Sequence, residues 1–252
     1  MSRTIKNERI THHISSNKRT AGTNSDFTIT LDEKLSRIRK VEVKTTEIPF
    51  SFYVVIAAQN NVLEYKVNGV AYNITVPEGN YSGTTFASQI QLLLDAQQGS
   101  GWLVNYNTSI YKIEFTYTGG TYELLSSVGS TMSDLIGLSA DSGVISSGVK
   151  FTCQGISNLS GPNFILIRSN ALTRPLRRRP LYNNQHSDVL YKAQVRSGPG
   201  TTLTDNISVQ DPFEYPVRIS LSTIDLRIED EEENPIDLNN LPWSITLIYE
   251  IE

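Results

Sequence analysis

The sequence predicts a mainly β protein: a single jelly-roll β-sandwich with a small α+β insertion and an extended N-terminal arm. Three observations predict it. Segments rich in Val, Ile, Tyr and Thr recur between Gly, Pro, Asn and Ser turns, the pattern of many short antiparallel strands. Helical periodicity is concentrated in residues 61–149. The first twenty-five residues are polar and basic and show no periodicity. The expected organisation is therefore an arm over 1–25, a jelly roll built from 26–60 plus 150–252, and an inserted α+β module over 61–149.

Phe27–Leu31 alternates as a strand, and Ile38–Ile48 is a second, longer strand ended by Pro49. Val62–Val67 and Val70–Val76 alternate on either side of Asn68-Gly69, the strongest two-residue hairpin signal. Pro77 to Gly83 breaks the second strand, and Thr84–Gln98 follows as a helix. Its Phe86, Ile90, Leu93 and Leu94 form one apolar stripe. Trp102–Tyr106 and Tyr111–Tyr117 read as a further strand pair. Met132–Leu138 reads as a helical turn stopped by Gly137. Strands are expected near 148–154, 163–169, 188–195, 216–228 and 243–251. The loop 171–187, with Pro175 and Pro180 around arginines, is too polar for a core element.

The chain has 252 residues, enough for a sizeable core. With 19% charged and 38% hydrophobic residues it is neither a disordered chain nor a membrane protein. Its longest apolar runs, such as Phe164–Ile167, are strand-length. The stretch after Met1 has no apolar h-region, so no secretory signal is expected. Cys153, the one cysteine, rules out an internal disulfide and reads as a buried, inert thiol on a strand.

The net charge of −4 conceals an asymmetry. Arg3, Lys6, Arg9, Lys18 and Arg19 make the arm basic, and Arg168, Arg174, Arg177, Arg178 and Arg179 make a second basic cluster. Residues 229–233 are an uninterrupted acidic run. Such separation fits complementary contacts between copies or with neighbouring proteins, or else a basic tail and an acidic surface loop kept solvated. The arm residues with Arg174, Arg177, Arg178 and Arg179 are the candidate assembly contacts.

Catalytic, cofactor and metal residues are not expected. His12, His13 and His186 are the three histidines, the first two adjacent and so pointing opposite ways on an extended chain. No phosphate-binding Gly loop, zinc-binding helix motif or nucleophile elbow occurs. The arginines can contact phosphates, but no aromatic residue interleaves them and the chain as a whole is acidic, so nucleic-acid contact is a minor reading.

One order of segments goes further. The basic arm is followed by a strand ending in Ile48-Pro49-Phe50-Ser51-Phe52-Tyr53. Next come the hairpin, Ile74-Thr75-Val76-Pro77-Glu78-Gly79-Asn80-Tyr81-Ser82 and the amphipathic helix. Ser133–Leu138, Asn163–Asn170 and Ile236–Leu247 complete the series. This order resembles the penton, or minor capsid, proteins of virophages, polinton-like viruses and related tailless double-stranded DNA viruses. The resemblance runs over most of residues 40–250. It implies a jelly-roll subunit with no catalysis, found in the virion. Five copies close each fivefold vertex of an icosahedral capsid, among capsomers of a double-jelly-roll major capsid protein. A fibre or a host receptor is a possible further partner. The alternatives are another virion component (a fibre base, tail or collar protein) and a carbohydrate-binding β-sandwich. Removal of residues 1–20 is expected to leave the fold intact.

Overall fold

The computed structural model describes residues 8–127, 129–173, 188–207 and 212–252. Along the chain the strands are β1 (Glu8–Ser15), β2 (Ala21–Gly22), β3 (Asp26–Pro49), β4 (Val62–Val67), β5 (Val70–Thr75), β6 (Trp102–Asn107) and β7 (Lys112–Tyr117). They continue with β8 (Tyr122–Leu125), β9 (Phe151–Thr152), β10 (Phe164–Arg168), β11 (Val189–Gln194), β12 (Thr202–Asn206), β13 (Phe213–Glu229) and β14 (Ser244–Ile251). The helices are α1 (Gly83–Gln98), α2 (Ser133–Ile136) and α3 (Asn170–Thr173). The chain divides into two compact units, one from residues up to Phe52 together with Pro162–Glu252, the other from Tyr53–Gly161.

The first unit is mainly β and antiparallel throughout, consistent with a jelly-roll sandwich. Its strand order is β1-β14-β3-β13-β10-β11, with β2 and β12 also on β3. Two long strands organise it. The first part of β3 pairs with β13, Phe27 opposite Leu226 and Thr30 opposite Thr223. Its last part pairs with β14 on one side and β12 on the other. Ile38, Val41, Val43, Ile48, Ile167, Ile224, Leu226, Ile228, Trp243, Leu247 and Tyr249 form the buried core.

Two segments expected as separate strands, 27–31 and 38–48, are thus one strand of 24 residues. The polar stretch between them is a distortion rather than a turn. Asp32, Glu33 and Lys34 are exposed, the register against β13 slips between Thr30 and Leu35, and Arg37 takes a φ of 61°.

The described part of the arm is extended, and it is held by its own chain. Glu8–Ser15 pairs residue for residue with Ile251–Ser244, and Ile14 is buried. A short 3₁₀ turn at Ser16–Lys18 leads on to β2, and the indole N–H of Trp243 donates to the Asn24 carbonyl at 2.7 Å. Removing residues 1–20 therefore strips a paired strand from β14, which corrects the premise behind that expectation, that the arm lies outside the sheet. A second correction concerns 171–187: Ala171–Thr173 belong to α3, where Leu172 and Thr173 are buried. Residues 174–187 lie outside the described residues, as do Arg3 and Lys6.

The second unit carries the α+β elements. β4 and β5 form the expected hairpin, and Asn68 and Gly69 take φ of 50° and 81°, the left-handed pair that a two-residue turn of this kind requires. β8 adds to the other side of β4, and β6, β7 and β9 form a second sheet. Helix α1 opens with a capping box in which Ser82 and Thr85 satisfy each other's backbone N–H groups. Its Phe86, Ile90 and Leu94 are buried with Tyr65, Trp102, Phe115 and Tyr122, while Leu93 is half-buried. Cys153 is buried in this core, and desolvation pushes its thiol up to about 12.

Candidate assembly surfaces

The basic residues of the arm that the structure describes have three different fates. Arg9 is exposed and meets Glu42 at 3.3 Å across β14, so its charge has a partner within the chain. Arg19 is turned inward on its own loop, donating to the carbonyls of Ser16 and Gly22 and to the Asn24 side chain. It fixes the 3₁₀ turn, so its role is local. Lys18 has no ion-pair partner among the described residues. Arg174, Arg177, Arg178 and Arg179 lie outside the described residues.

Arg168, grouped by sequence with those arginines, belongs to a buried ion cluster. It sits on β10 at 7% exposure. Its guanidinium reaches Asp188 at 2.6 Å, Glu229 at 2.5 Å and Glu233 at 2.6 Å. Arg227 on β13 meets Asp188 and Glu229 as well. Burial works against the charge of Arg168, but its hydrogen bonds to Asp188 and Glu233 and the field of Glu229 outweigh it and raise its pKa. The acidic run is therefore not a solvated loop from end to end. Glu229 and Glu233 close on Arg168, Glu231 accepts from Asn163, and Asp230 accepts the backbone N–H groups of Glu232 and Asn234 to hold the turn. No cluster of three or more His, Cys, Asp or Glu side chains suited to a metal occurs among the described residues.

Ahead of residues 174–187, Asp225 on β13 accepts the N–H groups of Asn170 and Ala171 and so caps α3. Behind it, the carbonyl of Asp188 accepts from the N–H of Ser169. The two ends of that connection are thus pinned to one place on the sandwich.

A groove of about 550 Å³ opens at one edge of the first unit. Its walls are β1 from Ile10 to Ser15 and the β3 segment from Ile29 to Leu35. Ile10, Ile29 and Leu31 are half-buried against the core, and His12 lies edge-on to the buried Tyr249 ring at 5.5 Å. Lys18 stands on one lip, Asp32 and Glu33 on the other. β1 is the last strand on its side of the sheet, so its outer backbone edge is unpaired among the described strands.

In the second unit the equivalent edge is closed. Asp95 and Gln91 of α1 accept the N–H groups of Trp102 and Val104 on β6, which prevents another strand from adding there. Glu114 on β7 is buried and accepts from Asn107 at 3.0 Å and Lys150 at 3.1 Å, and the Asn107 bond above all holds its carboxyl below the usual carboxylate range. No described helix is long and apolar enough to cross a membrane.

No known protein-family model matches the sequence. No curated protein matches it either. In structure, the chain is similar to the mavirus penton protein, known from a crystal structure, with a TM-score of 0.55 and 14% identity. The match covers 98% of this chain and 99% of that one. What the two share is the fold, and they share it from end to end.

Proposed function

We propose that the protein is a structural subunit of a virion, and that five copies form the penton closing each fivefold vertex of an icosahedral capsid. The observation that carries this reading is the end-to-end likeness to the mavirus penton protein, which spans both the sandwich and the α+β unit. The order of segments along the sequence points the same way. A ring of five needs a heterologous interface, in which one flank of the subunit meets a different flank of the next. The edge groove beside β1 and the opposite end of the same sheet order at β11 are unlike surfaces of this kind. Capsomers of a double-jelly-roll major capsid protein are the neighbours in this reading. Lys18 of the arm and Arg174, Arg177, Arg178 and Arg179 make the contacts to acidic surfaces around the vertex.

Electron-microscopic class averages of the purified protein, together with its mass in solution, test the proposal. Fivefold rings of about 140 kDa, five chains of 28.1 kDa each, are expected. Threefold or sixfold rings would move the protein to a fibre or tail assembly and overturn the vertex reading.

A further inference from the structure

The edge groove has no occupant within the described chain, and three of its properties specify one. Ile10, Ile14, Ile29, Leu31 and Leu35 line it, and it runs beside a backbone edge of β1 that is unpaired among the described strands, so the fitting ligand is an extended strand that adds to that edge and buries alternate side chains. Its wall from Ile10 to Ser15 is roughly 20 Å long at the rise of a strand. Asp32 and Glu33 on one lip have no ion-pair partner among the described residues, so the strand that fits carries cations.

Residues 1–7, Met-Ser-Arg-Thr-Ile-Lys-Asn, have these properties. Fully extended they reach roughly 23 Å. Met1, Arg3 and Ile5 alternate with Ser2, Thr4 and Lys6, so an apolar side chain can enter the floor while a cation meets the acidic lip. Glu8 is already paired with Ile251, so a fold-back of this segment onto the same β1 must reverse the chain sharply within Lys6-Asn7.

We propose that the groove between β1 and Ile29–Leu35 receives residues 1–7 of a second copy, so that each copy lends its first residues as a strand to the next. This rests on the reading of the chain as a self-assembling subunit, and it names the surface through which one flank engages its neighbour. The contact is heterologous: the donated segment and the receiving groove are different surfaces, as a ring requires.

Two full-length variants, Ile5→Cys and Leu31→Cys, carry tags of different mass and are purified separately, then mixed under mild oxidation. Cys153 is buried and stays silent. The mixed disulfide is expected in at least tenfold excess over that formed by Ile5→Cys with Val217→Cys, an exposed position that does not line the groove. Equal yields overturn the proposal. So does a disulfide that forms within one chain of the double variant at every dilution, because the occupant is then the chain's own segment. Particle images of the wild-type protein separate the two readings. Fivefold rings without the disulfide excess overturn the groove and leave the vertex assignment standing. The excess without fivefold rings supports the groove and overturns the fivefold count.

Discussion

Arg168 shows how far a charge can be from what its sequence neighbours imply. On paper it heads a basic cluster; in the fold it lies in the first unit between carboxylates 20 and 65 residues away in sequence. Nothing local marks it, because its strand, Phe164–Arg168, is apolar up to that point and then simply ends. Replacing it by Leu leaves Asp188 and Glu229 with one cation fewer in a largely desolvated site. The expected cost is about 3–5 kcal/mol, read as a lower denaturant midpoint. Glu114 gives a second prediction at this scale. Its pKa is lower folded than unfolded, so its contribution to stability is complete above pH 4.5 and is lost as the pH falls through the folded value. The melting temperature of the wild type should therefore fall more steeply below pH 4.5 than that of Glu114→Gln. Parallel acid limbs would mean that the hydrogen bonds from Asn107 and Lys150 add nothing that depends on charge.

Among the elements, those with strong local grammar were legible. The β4–β5 hairpin announces itself through Asn68-Gly69, and α1 through its stripe and its Ser82 start. Ser82→Ala should cost about 1 kcal/mol, seen as a shifted denaturant midpoint, since it removes the acceptor for the Thr85 N–H. What stayed hidden has a common physical cause. β1, β8 and β12 are short or polar strands whose partners lie far away, β1 on β14 and β12 on β3. Their pairing is a tertiary fact that no window of neighbouring residues contains. The bend in β3 failed for the opposite reason. Asp32-Glu33-Lys34 has the composition of a turn, yet the chain continues in the same direction because β13 and β14 hold both halves. The candidate site was legible only in part: Arg9 and Lys18 are on the surface, while Arg19 is consumed by its own loop. The groove went unseen because its two walls meet only after the sandwich closes.

Over the whole molecule, the start of β1 at Glu8 separates two truncations. A chain lacking residues 1–7 should keep its fold, with a melting temperature within a few degrees of the full chain and unchanged circular dichroism. A chain lacking residues 1–15 loses the strand that covers β14 along with the buried Ile14, and should melt far earlier or aggregate through the bared edge. Equal stability of the two truncations would show that β1 adds nothing to the sandwich. The first truncation also isolates assembly from folding: it should remove rings while leaving the subunit intact.

The pairing of the first described strand with the last has a consequence for synthesis. β1 is made early and β14 far later in the chain, so the sheet they share stays unfinished until residues 244–251 have emerged. Residues 53–161 form a continuous stretch with their own core and are free to fold as soon as they emerge. The ribosome thus delivers the α+β unit first and the completed sandwich afterwards. Any surface that depends on a closed sandwich, the edge groove included, comes into being only after β14 has emerged to hold β1.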